Sequence, residues 1–197
     1  LAGSDVIPSL KRCTSLGPDR MNGSALHMSA PLPFAIYQAA AQGGWQKVEK
    51  WLRRRGAHVD ARCLEAAGSS LLHAAAVAGQ VATVLELIKR GASVDVQNDE
   101  GGTALMEACT NNHHHVVKIL LKVPNIDVNI KDKEGGTALT AACEGCGVKT
   151  IQDAGNGGDD EDGGFGRCLV LLLASRLVSR ETLEGAIAEC LTEEMAA

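Results

Sequence analysis

Three stretches of this chain hold residue types that could do chemistry: His113-His114-His115, the pair Cys143-Glu144-Gly145-Cys146 with Cys168 further on, and the acidic run Asp159-Asp160-Glu161-Asp162-Gly163-Gly164. Imidazoles and thiolates at short spacing are zinc ligands, a C-x-x-C also serves redox exchange, and clustered carboxylates suit calcium. The spacing argues against each. Consecutive helical residues point about 100° apart, so the three rings cannot converge on one ion. One ring is expected to serve a helix entry and the others to be exposed. The C-x-x-C lacks a second matching pair, which makes Cys143, Cys146 and Cys168 structural thiols before it makes them a zinc or redox module. The acidic run breaks the D-x-[DN]-x-[DN]-G order and has no closing glutamate. It is read as a solvated insertion, with docking of a basic partner as its other use. Nothing matches a phosphate loop, a nucleophile elbow or a zinc-protease pair, so no catalytic residue, metal or cofactor is expected.

The elements that must position such groups are set by a repeat. Gly101-Gly102-Thr103-Ala104-Leu105 returns as Gly135-Gly136-Thr137-Ala138-Leu139, a step of 34 residues, and Ser70-Leu71-Leu72-His73 stands 33 residues before Thr103. A fixed period of this size signals stacked repeats. Within one period, Ala104, Leu105, Ala108 and Cys109 mark a short helix whose buried side is small. Val116, Val117, Leu120 and Leu121 mark a second, bulkier one. Two such helices are marginal alone in water, and only neighbouring copies can cover their apolar stripe.

Residue by residue, the pattern resembles the ankyrin repeat. Ser70-Leu71-Leu72-His73-Ala74-Ala75-Ala76, then Gly79, then Val84, Leu87 and Ile88, then Gly91-Ala92-Ser93-Val94-Asp95 follow that family's phrase. The resemblance covers roughly residues 35–180 and implies an all-α solenoid of stacked helix-turn-helix units with projecting loop fingers. The chain departs from the family where proline is replaced by Leu71, Ala104 or Ala138 and histidine by Met106 and Thr140, changes expected to weaken the helix-entry turn. His113 falls where the family commonly has a histidine at the start of the second helix.

Taken in order, residues 1–33 mix Gly, Ser and Pro without period and read as a flexible leader. The sequon Asn22-Gly23-Ser24 carries no weight beside the free thiols. Residues 34–180 form the repeat domain, in about four repeats near 34–62, 63–98, 99–131 and 132–180. In the first, Lys47, Lys50, Arg53, Arg54 and Arg55 line the outside of the second helix. Such a run could meet an acidic partner, but last-turn cations also complement the helix dipole, and a solvated cap is the preferred reading. Gly56 and Gly91 are expected to close second helices, with Asn125 in that role before Lys131. The longer connection from Asp60 to Gly68 is expected to tuck Cys63-Leu64 into the stack. An acidic, glycine-rich insert at 152–166 interrupts the fourth repeat. Residues 181–197 are expected to form a capping helix, N-capped by Ser179 with Glu181 in its first turn.

Composition sets the class of partner. Aromatic content is 3% and net charge −5, so the core must be aliphatic and alanine-rich, and no global charge favours nucleic acid or an anionic membrane. No apolar run approaches the roughly 20 residues that span a bilayer. Seven scattered cysteines suit a reduced, intracellular protein, cytoplasmic or nuclear. The chain is expected to be a monomer. It begins with Leu1, which leaves open a fragment or a natural start at Met21.

The resemblance implies a non-catalytic protein-protein interaction module that binds on its concave face of finger tips and first helices. Matching positions are Gln97, Asp99, Glu100, Gly102, Glu107, Thr110 and Asn111 in repeat three, and Lys131, Lys133, Glu134, Gly136 and Glu144 in repeat four. Ser69, Val77 and Ala78 come from repeat two. With few aromatic or arginine anchors, a partner of modest affinity is expected, presenting lysine or arginine to Asp99, Glu100 and Glu107. The alternative is a substrate- or partner-targeting segment of a larger enzyme, a ubiquitin ligase or kinase.

Overall fold

The structure, a computed structural model, describes residues 31–145, 167–175 and 177–185. Among them the chain is all-α, with two isolated β-bridges, Cys63 to Ser69 and Gln97 to Thr103, at the bases of loop fingers. Four helix pairs follow one another: α1 Phe34–Ala41 and α2 Trp45–Leu52, α3 Leu71–Val77 and α4 Val81–Lys89, α5 Ala104–Thr110 and α6 His114–Leu120, α7 Ala138–Gly145 and α8 Arg167–Ser175. A short 3-10 turn, Leu64–Ala66, lies in the first connection.

Each first helix packs on the next first helix, and α4, α6 and α8 pack in a second row behind them. The rows differ in side-chain size, although Leu71, Leu72 and Leu105 at the starts of first helices are also buried. Ala40, Ala74, Ala75, Ala76, Ala104, Ala108 and Ala142 are fully buried in the first row, where short side chains let backbones approach. Val48, Val84, Leu87, Val116, Val117, Leu120 and Leu172 fill the second. The sharp reversal inside each of the first three pairs needs a left-handed residue, supplied by Gly43, Gly79 and Asn112. Asn125 adopts the same conformation after α6, as expected of a residue replacing glycine there.

Fingers lie on fingers. Asp99 N donates to Ala67 O (2.8 Å) and Lys133 N to Glu100 O (3.0 Å), so each tip rests on the one before. Lower down, Asp60 Oδ1 accepts from Ser93 N and Asp95 Oδ1 from Asp127 N. In the longer first connection Cys63 is fully buried, but Leu64 is 77% exposed, so only half of that dipeptide enters the stack. The stack extends back to Leu32, which is buried and donates its N–H to Arg62 O.

The helix entries differ from expectation in an instructive way. At α3, His73 Nδ1 accepts from Ser70 N (3.2 Å), while Nε2 reaches Gly102 O (3.1 Å) in the next repeat. At α7, Thr140 replaces the histidine, yet its Oγ1 accepts from Thr137 N (2.7 Å) and Thr137 Oγ1 accepts from Thr140 N (3.4 Å). The reciprocal cap survives with a hydroxyl in place of the ring. Only α5 is one-sided, with Thr103 Oγ1 accepting from Met106 N. Met106→His should therefore add a bond to Thr103 N and one across to repeat four. Denaturant unfolding should show a gain of about 1 kcal/mol.

Beyond α8 the chain bends at Val178 and is helical again at 180–185. Ser179 caps this helix through Thr182 N (3.1 Å), as its sequence suggested. Asn129 holds the turn at three points: Nδ2 donates to Leu177 O, and Oδ1 accepts from Ser179 N and Thr182 Oγ1. The acidic insert at 152–166 and residues 186–197 of the expected cap lie outside the described residues, as do residues 1–30 of the expected leader.

Candidate binding groove

On the finger side of α5 and α7 the stack leaves a groove of about 440 Å³. Its floor is Met106, Thr137, Thr140 and Ala141, and its walls are two successive fingers. Among the described residues five carboxylates line it, from Glu100, Glu107, Asp132, Glu134 and Glu144, and no lysine or arginine does. The groove is therefore rich in acceptors and strongly negative.

Two of these carboxylates owe their positions to the finger turn. Asn98 Oδ1 accepts from Glu100 N (3.0 Å) and Gly102 N (2.8 Å). With that oxygen occupied, the amide nitrogen reaches Glu107 Oε1 at 3.3 Å. One period later Asp132 takes the place of Asn98, its Oδ1 accepting from Glu134 N (2.9 Å) and Gly136 N (2.7 Å). The partner position changes too, since Ala141 stands where Glu107 stood. The turn is thus the same, but repeat four replaces a donor by an acceptor on the groove wall. Glu107 is half-buried. Its burial, and then Glu100 beside it, hold its carboxyl above the usual range.

Of the residues singled out from the sequence, Glu100, Gly102, Glu107, Thr110, Glu134, Gly136 and Glu144 line this groove. The others do not. Gln97 fastens the fingers, its Nε2 donating to Gly101 O (2.7 Å) and Lys131 O (3.0 Å). Asp99 faces Arg62 at 3.8 Å, on the side of the preceding finger. Lys131 pairs with Glu181 at 3.3 Å, Asn111 Nδ2 returns to Glu107 O, and Lys133 is exposed beyond the lining. Ser69 is buried, and Val77 and Ala78 are half-buried one repeat away. Asp132 was missed. Its signal was its step of 34 residues from Asn98, visible only once the finger turn is known to need an acceptor there.

The other candidate chemistry disperses. His113 precedes α6 and its Nε2 contacts Val77 O at 2.9 Å, tying repeat three to repeat two. His115 is exposed, whereas His114 is half-buried against it, with ring centroids 4.0 Å apart. Cys168 is fully buried beside Asn112 Oδ1 (3.5 Å), and a hydrogen bond with the Cys109 thiol pulls its own thiol down against the opposing effect of burial. Cys146 and the acidic run lie outside the described residues. Among the described residues no group of three or more His, Cys, Asp or Glu side chains could hold a metal ion. No helix among them is long and apolar enough to cross a membrane.

A family model described as ankyrin repeats, in three copies, matches residues 36–132 and 71–155. A probable E3 ubiquitin-protein ligase, XBOS33 from Oryza sativa subsp. japonica, is 47% identical over 53 residues, which cover 27% of this chain and 10% of that protein. The match thus spans about a tenth of that relative's length.

Proposed function

The chain belongs to the ankyrin-repeat family, and we propose that it is a non-catalytic protein-interaction module that takes a basic segment of its partner into the groove between α5 and α7. The observation that carries this is the lining: among the described residues, five carboxylates, no lysine or arginine, and a floor of small and apolar side chains. A lysine or arginine entering there finds acceptors on both walls, and Met106 and Ala141 offer an apolar seat for its stem. Asp132 and Glu107 are the wall residues whose charge matters most, because their orientation is fixed by the fingers before any partner arrives.

The test is a random-peptide display selection on the full chain. Enriched peptides should carry lysine or arginine, and a synthesised winner should bind the Glu107→Gln/Asp132→Asn variant about 30-fold more weakly, with a flatter salt dependence. Asp132→Asn spares the turn, since Asn98 makes the same two bonds one repeat earlier. Because the Glu107 carboxyl takes up its proton at higher pH than an exposed glutamate, binding should fade earlier on acidification than in Glu107→Gln. Neutral or acidic winners, or equal affinity for the variant, would sink the proposal.

A second reading draws support from the similarity to a probable ubiquitin ligase. In it the same groove selects the substrate or partner of a larger ligase or kinase. The full-length transcript distinguishes the two, since only this second reading requires a catalytic domain joined to the repeats.

A further inference from the structure

We propose that the outer faces of α2, α4 and α6 form a second docking surface, separate from the groove, which receives an acidic protein segment bearing a bulky apolar residue. Arg53, Lys89 and Lys122 fall just past α2, at the last residue of α4 and just past α6, each equally far from its left-handed turn residue, Gly43, Gly79 or Asn112. Stacking therefore sets cations of three repeats in one row, a feature that the linear sequence spreads over 70 residues.

Two of the three aligned cations, Arg53 and Lys89, are paired within the row, but the cations around them outnumber its carboxylates. Its two carboxylates are engaged, Glu49 by Arg53 (3.0 Å) and Arg90 (2.8 Å), and Glu86 by Lys89 (2.7 Å). Lys47, Lys50, Arg54, Arg55, Lys118 and Lys122 are exposed, and among the described residues none of them makes an ion pair. The helix dipole does not explain them all. Lys47 lies in the first turn of α2, the end that repels a cation. In a chain of net charge −5, a one-sign face of this kind is a surface for an oppositely charged partner.

The occupant follows from what else the row presents. Leu85, in the middle of α4, is 40% exposed with cations on the helices to either side. It offers an apolar contact at the centre of a charged rim. A nucleic acid would want stacking partners, but Trp45 lies beneath the Arg90 guanidinium, 5.0 Å from its ring centroid, and Trp51 is buried. On α2, α4 and α6 Leu85 is the one strongly exposed large apolar side chain, too little surface to enter a lipid layer.

The test uses the full chain and a labelled glutamate-rich peptide with one central leucine, followed by fluorescence anisotropy at low salt. Binding should weaken about tenfold in Arg54→Glu/Arg55→Glu, and again in Lys118→Glu/Lys122→Glu on a different repeat. Leu85→Ser should weaken it without altering its salt dependence, and Glu107→Gln/Asp132→Asn should leave it unchanged. The last variant separates failure here from failure of the groove proposal. No binding by the wild type, equal binding by either charge-reversed variant or by Leu85→Ser, or displacement of the peptide by an equally charged oligonucleotide or phosphatidylserine vesicle would overturn the inference.

Discussion

His73→Ala should cost about 3 kcal/mol of unfolding free energy near neutral pH, and most of that difference should vanish in acid. The ring is buried and bonded on both sides: Nδ1 accepts from Ser70 N, and Nε2 must donate to Gly102 O. The native state therefore holds the neutral ring in one tautomer and joins repeat two to repeat three through it. Burial pushes its pKa down to about 4, with Arg62 adding to the effect against the opposing bond to Gly102. In the unfolded chain the ring titrates near 6.5, so on acidification the unfolded state takes up the proton first. The ring's contribution is complete above pH 6.5 and is lost as pH falls toward about 4, a total of about 3 kcal/mol. Urea unfolding of both proteins at about pH 7.5 and pH 4.5 should show the gap between them closing. A gap that stays constant would mean that the ring's packing, and not its protonation state, carries the effect.

Gly101→Ala should destabilise the stack by about 3 kcal/mol, whereas Gly135→Ala should cost about 1 kcal/mol. The two glycines occupy the same place in successive fingers, with φ of 85° and 92°. Both substitutions therefore meet the left-handed penalty for a Cβ. They differ in what stands over them. A Cβ on Gly101 would lie 2.8 Å from Asp132 Cα and 2.9 Å from Lys133 N, which is backbone that cannot rotate away. A Cβ on Gly135 meets nothing within 4 Å. Moving the overlying finger also breaks the bond from Lys133 N to Glu100 O and displaces Asp132 from the groove wall. Peptide binding should fall with stability in Gly101→Ala and persist in Gly135→Ala. Equal costs for the two would show that finger contact contributes little to the fold.

The fold was legible because its causes are local and repeated. Small side chains at Ala74–Ala76, Ala104, Ala108 and Ala138, larger ones at Val84, Leu87, Val116 and Leu120, and the period between them specify two helix rows. Even the use of Asn125 for glycine could be read in advance. The groove was half legible. Glu100, Glu107, Glu134 and Glu144 followed from family positions, but Asp132 did not, because its role depends on which oxygen the finger turn consumes. Asp99 and Lys131 looked equally available in the sequence. Their partners, Arg62 and Glu181, are distant in the chain and come near only after stacking. The weak entry expected at α7 failed for a simpler reason, that a hydroxyl at position 140 accepts the bond a histidine would.

The three bonds of Asn129 bear on how this chain tolerates change in length. Cys168 and Leu172 bury α8 in the stack, and the turn at residues 177–179 and the start of the helix after it are held by one carboxamide on an earlier finger. The seat of residues 177–185 is therefore written into the finger ahead of α7, and a change in chain length elsewhere leaves it in place as long as Asn129 keeps its three bonds.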